Sequence, residues 1–307
     1  MMKRQWILAL TFFAALNSVA FAQILSIDPI TEPASVIYDP YLSGDSIGPQ
    51  FSFTVRLDKR YNTIFPFYVV IDGSPASSRK LTFADNGTVS LNVGFFQDAT
   101  YLSEILSSAN PSSTGIIEGM FGRNTKKLEQ QFTVYPSLKM NQYAPAGSYS
   151  GDFSLKLYDG SYPSGTLVQT LPFTYRAAVN PFIDVRLGSS SGTYDAGVSD
   201  YNINLGDVSH GATAQFGVFI RANTSYSVNM FTSSGGYLSS PSTSDRIQYS
   251  LGFSGNRYSL GSSVTIDSET MKGMYSKALI GEVIIPADQN VEAGVYSDMI
   301  SFSISAN

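Results

Sequence analysis

Apolar and polar residues alternate with a period of two along much of this chain. Phe51, Phe53 and Val55 share one face of a run, as do Phe216, Val218 and Ile220. Such alternation, broken by Gly, Asn, Asp and Ser, predicts half-buried antiparallel strands joined by tight turns. A further strand is predicted from Thr166 to about Ala177, with Leu167, Leu171, Phe173 and Tyr175 on one face and Thr170, Thr174 and Arg176 on the other. Pro172 has no N–H to give a neighbour, so this strand belongs at a sheet edge. One stretch reads differently: Asp98 as a cap, followed by Tyr101, Leu102, Ile105 and Leu106, predicts a short helix.

The pattern occurs twice. Residues 38–56 read YDPYLSGDSIGPQFSFTVR and residues 201–221 read YNINLGDVSHGATAQFGVFIR. Each has Tyr, then Leu, a Gly-Asp turn, and a strand ending in Arg, with a further Tyr five residues on (Tyr61 and Tyr226). A second landmark pairs Ala146-Gly147-Ser148-Tyr149-Ser150 with Ala293-Gly294-Val295-Tyr296-Ser297. Several matches in one order indicate duplication. The boundary falls near Asn180-Pro181, giving two units, 23–179 and 180–307. Tyr61 and Tyr149 are 88 residues apart, Tyr226 and Tyr296 only 70, so the first unit carries 18 extra residues, placed within 97–125. The expected fold class is all-β, two tandem immunoglobulin-like sandwiches.

The copies end differently. In the first, the strand after Tyr149 turns at 159–165 and a further strand follows. In the second, the run Ile300-Ser301-Phe302-Ser303-Ile304 has no successor before Asn307. A sandwich short of its last strand leaves apolar side chains beside unpaired backbone, which a strand from another polypeptide can cover. The expected groove residues are Phe216, Val218, Ile220, Tyr296, Ile300, Phe302 and Ile304. The alternative is that the early strand Ile183–Leu187 folds across and closes the edge from within.

The N-terminus changes the setting. Met1-Met2-Lys3-Arg4, an apolar run from Trp6 to Leu16, and Ala20-Phe21-Ala22 have the order of an export signal with cleavage after Ala22. The apolar run is shorter than the roughly 20 residues that span a bilayer. Beyond residue 22 the chain has 17 basic and 24 acidic residues, a net charge of −7, and no basic block along the sequence. That argues against nucleic acid and anionic lipid as partners. There is no cysteine, so no disulfide contributes to stability. Only Gln23-Ile24-Leu25-Ser26 would precede Ile27-Asp28, the counterpart of Ile183-Asp184, so no alternating extension is at hand to complete a neighbour. A unit that accepts a strand and donates none is a terminal cap.

The C-terminal unit resembles the spore coat protein U-like domain family. The resemblance rests on Tyr201-x-x-x-Leu205-Gly206-Asp207, Phe216-x-Val218-x-Ile220-Arg221-Ala222-Asn223, Ser234-Gly235-Gly236-Tyr237-Leu238, Ile247-Gln248-Tyr249-Ser250-Leu251 and Ala293-Gly294-x-Tyr296-Ser297-Asp298. It covers 183–307 well and 27–178 more weakly, and no one motif is diagnostic. It implies a subunit of an archaic chaperone–usher pilus. The partners so implied are a periplasmic pilus chaperone, an outer-membrane usher and the donor strand of the adjacent pilin. Two-domain members of the family are tip adhesins, which implies attachment to an abiotic or host surface and biofilm formation. The absence of cysteine departs from many single-domain pilins, which carry a disulfide.

If the last strand of the first unit ends beside the second, its starting turn marks the far pole. That pole is expected to present Ile116, Ile117, Met120, Phe121, Tyr162 and Pro163 as an apolar binding surface. The alternative packs Ile116 and Phe121 beneath the insertion as a satellite core. Catalytic signals are weak. His210, the one histidine, sits in a Ser-His-Gly turn, and Gly188-Ser189-Ser190-Ser191-Gly192 spells a nucleophile motif without the strand–helix context it needs. No metal-ligand spacing or cofactor loop is present, and no enzymatic activity is expected. Asn86 and Asn223 begin glycosylation sequons. Two other functions stay open: a secreted carbohydrate-binding module using Tyr101, Tyr143 or Tyr162, and a minor pilin.

Overall fold

A computed structural model describes residues 24–307, and the export-signal reading lies outside them. Among the described residues there is no helix, and none long and apolar enough to cross a membrane. The first eleven strands are β1 (Leu25–Ile27), β2 (Val36–Ile37), β3 (Ser46–Ile47), β4 (Phe51–Leu57), β5 (Phe65–Asp72) and β6 (Lys80–Phe83). There follow β7 (Ser90–Phe96), β8 (Ile117–Phe121), β9 (Glu129–Leu138), β10 (Gly147–Asp159) and β11 (Thr166–Val179). One layer runs β1-β4-β9-β7, the other β6-β10-β11-β2 with β5 between β10 and β8. β7 joins them, since Ser90–Asn92 pair with β6 and Val93–Phe96 with β9.

The later strands are β12 (Ile183–Gly188), β13 (Ala212–Ala222), β14 (Tyr226–Thr232), β15 (Tyr237–Ser239) and β16 (Arg246–Gln248). Then come β17 (Ser250–Phe253), β18 (Asn256–Tyr258), β19 (Val264–Glu269), β20 (Tyr275–Ile285) and β21 (Ile300–Ala306). They form a sheet β12-β13-β20-β17-β18 facing β19-β14-β21, with a β15-β16 ribbon at the side. No strand ladder joins an element before Asn180 to one after it.

The alternation read from the sequence is what builds these layers. Phe51, Phe53 and Val55 on β4 and Phe216, Val218 and Ile220 on β13 all point into cores. On β11, Leu171, Phe173, Tyr175 and Ala177 face inward. Leu167 does not: a bulge opposite Leu157 and Tyr158 puts Val168 against the core and turns Leu167 out to 45% exposure. Pro172 stands on the unpaired edge of β11, which meets β2 only at Ala177 and Ala178.

The expected helix at 98–106 is absent. The Asp98 carboxylate accepts the Thr100 hydroxyl and the backbone N–H groups of Thr100 (2.9 Å) and Ser103 (3.0 Å), closing a turn. Tyr101 is left-handed (φ 57), which stops helical propagation, and Ile105 enters the core while Leu102 points to solvent. The insertion also supplies β8, which extends the second layer beside β5.

Both copies of the Ala-Gly-x-Tyr-Ser motif fold alike. The Tyr149 hydroxyl donates to the Pro145 carbonyl at 2.8 Å, and that of Tyr296 donates to the Glu292 carbonyl at 2.8 Å. A tyrosine bonding back to the chain just upstream marks the corner that opens the sixth strand of an immunoglobulin sandwich. β10 and β21 are therefore counterparts, and the next strand in that order is the seventh.

Candidate functional site: an open edge and an apolar cavity

β10 is paired on both flanks, by β5 and β6 on one and by β11 on the other. β21 is paired with β14 alone. The terminal bonds fix which of its backbone groups are free. Ser233 N–H donates to the Met299 carbonyl and Asn307 N–H to the Ser225 carbonyl, so odd-numbered residues bond β14. The N–H and C=O groups of Ile300, Phe302 and Ile304 therefore face outward. Across from them runs β12, whose outer edge is also unpaired because it bonds only β13.

Between these edges lies a cavity of about 820 Å³. Leu187, Ile203, Leu205 and Val208 form one wall, and Tyr296, Ile300 and Phe302 the other. Phe216, Tyr249 and Val283 lie at its base. Phe302 meets Phe216 at 6.0 Å and Phe253 at 6.2 Å, an incomplete aromatic cluster. The other unit shows the complete one. There Phe173 of β11 sits 5.3 Å from Phe51 and 5.6 Å from Phe153. By the repeat, Phe51 corresponds to Phe216 and Phe153 to Ile300, so the cavity occupies the place that Phe173 fills. At its rim the Tyr249 hydroxyl donates to Asp298 at 2.7 Å; burial first, and this carboxylate second, push that hydroxyl's pKa well up.

Of the residues expected in the groove, Phe216, Tyr296, Ile300 and Phe302 line the cavity. Val218 is fully buried on β13, and Ile220 and Ile304 pack together in a separate cluster. Sequence reasoning missed the wall of Ile203, Leu205 and Val208. Ile203 and Leu205 do alternate, but they lie outside any ladder, and the Tyr-x-x-x-Leu stretch marks the repeat and the family resemblance without pointing to a groove wall. β12 bonds β13 from Ile183 to Gly188 and makes no ladder with β21, yet it lies against β21, with Ile183 and Val185 in one cluster with Ile304, so it narrows that edge without pairing to it.

The far pole of the other unit differs from expectation. Ile116, Ile117 and Phe121 are 3%, 4% and 1% exposed and present no surface. Residues 117–121 are a strand whose inward positions are Ile117, Gly119 and Phe121. Gly119 hid the alternation; a Cβ there would fall 2.2 Å from the Phe67 ring, so the inward position must be glycine. Ile116 joins Tyr68, Val70, Tyr158 and Tyr162 in a satellite cluster, and the Tyr162 hydroxyl donates to Pro111. Met120 and Pro163 are exposed. Tyr101 packs on Phe96 and Tyr135, while Tyr143 lies near Tyr275 at the other end, so the candidate sugar-stacking tyrosines do not converge.

The units meet around Asn223, which is wholly buried. Its side chain accepts the Phe182 N–H (2.7 Å) and donates to the Asn180 carbonyl (2.9 Å). Its own carbonyl accepts the Ala146 N–H at 2.8 Å. Nearby, Lys272 pairs with Asp85, and the Arg221 guanidinium lies 4.0 Å over Tyr194 and 5.6 Å from Tyr41. The sequon at Asn223 is thus structural. So is the Gly188–Gly192 loop, which packs on the Phe219 ring, a Cβ at Gly188 standing 3.2 Å and one at Gly192 3.5 Å from it. Among the described residues no cluster of His, Asp and Glu could hold a metal.

No family model matches the chain, and no curated protein matches it. Solved structures with a similar course include the CsuC–CsuE chaperone–tip adhesion subunit pre-assembly complex from archaic chaperone–usher Csu pili of Acinetobacter baumannii. It is 13% identical over 90% of this chain and 99% of the matched chain, with a TM-score of 0.41. The CupB6 tip adhesin of Pseudomonas aeruginosa is 9% identical over 92% of each chain, with a TM-score of 0.40. CfaE, the adhesive subunit of CFA/I fimbria of enterotoxigenic Escherichia coli, is 13% identical over 90% of this chain and 94% of its own, at 0.35. At these values the functional reading rests on the chain's own geometry.

Proposed function

We propose that this chain is the tip adhesin subunit of a chaperone–usher pilus, its units 23–179 and 180–307 acting as binding domain and pilin domain. One observation carries the reading. The strand that follows the tyrosine corner is present as β11 in the first unit, and its place beside β21 is open, with two unpaired edges and an apolar cavity between them. A donor strand from the adjacent pilin would enter at the cavity, bonding the free backbone of Ile300 and Phe302, seating alternate apolar side chains there, and moving β12 aside where it lies against Ile304. Each side chain so buried contributes about 1.5–3 kcal/mol. A chaperone would cover the same edge before assembly, and an usher would exchange the two.

Leu25 and Ile27 of β1 are built into their own core and bond β4, so they are not free to complete a neighbour. The test is thermal melting of residues 23–307 with a peptide copying the donor strand of a co-encoded pilin. A large rise in melting temperature that fades when the peptide's alternate apolar residues become Ser supports the reading. No change with the peptide rejects it and favours a secreted binding module.

A further inference from the structure

The chain has no basic run in sequence, yet folding makes one. Two loops cross between the layers of the first unit at the end away from Asn180: residues 58–64, joining β4 to β5, and 122–128, joining β8 to β9. They lie side by side, with the Asn124 N–H donating to the Tyr61 carbonyl at 2.7 Å and the Asn124 amide to Asn62 at 3.2 Å. Between them they carry Lys59, Arg60, Arg123, Lys126 and Lys127, all exposed, against a single acid, Asp58. The loops therefore hold a charge of +4 in a chain whose residues from 23 on sum to −7.

None of the five cations has an ion pair, although eight other Lys and Arg residues do. The nearest carboxylates are engaged elsewhere. Asp28 and Glu129 both hold Arg56, and Asp58 accepts the Tyr61 hydroxyl at 3.2 Å. Five unneutralised cations on one pole of an acidic protein draw polyanions to that pole and turn them toward it.

We propose that this pole binds an acidic polysaccharide, one bearing sulfate or carboxylate groups. The neighbours of the cations fit sugar. Thr63 offers a hydroxyl, and the Asn62 and Asn124 amides, bonded once to each other, keep further donors and acceptors for sugar hydroxyls; Tyr61, packed on Phe65 at 4.8 Å with the Lys59 ammonium 5.4 Å over its ring, is the one aromatic side chain of the two loops. A bilayer fits less well, because the apolar residues Ile64 and Leu128 stand at the strand-side ends of the loops and the positions between are polar or charged. Single-stranded nucleic acid would use several stacking rings, and here there is one. The proposal rests on the first unit being the binding domain, and it replaces the buried Ile116, Ile117 and Phe121 as the place of contact.

The experiment measures binding of the purified chain to heparin across a salt series. Neutral dextran, phosphatidylcholine–phosphatidylglycerol vesicles and a single-stranded oligonucleotide run in parallel. Heparin binding that weakens with salt, absent with dextran, is expected. Joint replacement Arg123→Ser, Lys126→Ser and Lys127→Ser should lower affinity at least about tenfold, while Arg246→Ser with Arg257→Ser, exposed cations of the other unit, leaves it unchanged. Absence of heparin binding, an equal loss in the control variant, or tighter binding to vesicles or oligonucleotide overturns the proposal. A melting temperature that still rises with donor peptide would show such a failure to concern the target alone.

Discussion

The side-chain amide of Gln169 bonds the backbone of Ile27 on both sides, accepting its N–H at 2.6 Å and donating to its carbonyl at 3.1 Å. Gln169 lies on β11 and Ile27 on β1, so this amide closes the seam between the last and first strands of the N-terminal unit. The C-terminal unit has no such clasp between β12 and β21. Replacing Gln169 with Ala should leave both Ile27 groups without this partner and cost about 1–3 kcal/mol. Urea unfolding, with the N-terminal unit followed separately, measures it.

Phe173 and Phe302 test the contrast between a filled and an open seam. Phe173→Ala removes a ring from a packed cluster and should destabilise the free chain by about 3–5 kcal/mol. Phe302→Ala removes a half-covered ring and should cost the free chain only about 1 kcal/mol. It should also lower the gain from donor peptide. Paired melts with and without peptide separate the two effects.

Asn223 should govern how the units are held. Asn223→Ala strips partners from the Phe182 N–H and the Asn180 carbonyl, at a cost of about 2–4 kcal/mol. Asn223→Asp keeps the acceptor but sets a carboxylate oxygen against the Asn180 carbonyl in a buried site, so near neutral pH it should cost at least as much as the Ala variant. Solution scattering should show a broader spread of angles between units for the Ala variant.

Two carboxylates set an acid limit. Hydrogen bonds from the Thr100 hydroxyl first, then from Ser103 and the Thr100 N–H, lower the Asp98 pKa to about 2. For Asp72 burial acts upward, but the Lys156 ammonium and Ser108 together outweigh it and the pKa is lowered. A carboxylate with a depressed folded value adds stability that is complete above its unfolded pKa, about 3.9, and is lost as pH falls through the folded one. The chain should therefore hold its stability down to about pH 4 and lose it toward pH 2, with the Ser103 amide deprotected early in hydrogen exchange. Asp98→Asn should flatten that local response.

The layers were legible because strand burial is a period-two property, and the runs at 51–55, 216–220 and 171–175 state it directly. Two devices broke the reading. A bulge at Val168 shifted Leu167 off its face, and Gly119 erased an inward position, so a buried strand passed for an apolar loop. The false helix came from Asp98, since a capping side chain closes an isolated turn as readily as it starts a helix. The open edge was readable from the unequal ends of the repeat. The cationic pole was not, because its two loops are brought side by side by long-range pairings, Arg56 with Glu129 and Phe65 with Phe121.

β21 runs toward the junction between units, since its C-terminal neighbour Asn307 bonds Ser225 while Ile300 lies opposite Thr232, at the other end of β14. On the proposed reading, a donor strand lying along it would be pulled lengthwise when the far pole is anchored and the fibre is under tension. Its bonds then share the load in shear and do not open one after another, as a zipper would when peeled. An attachment joined in this way resists steady drag with the combined strength of its whole ladder.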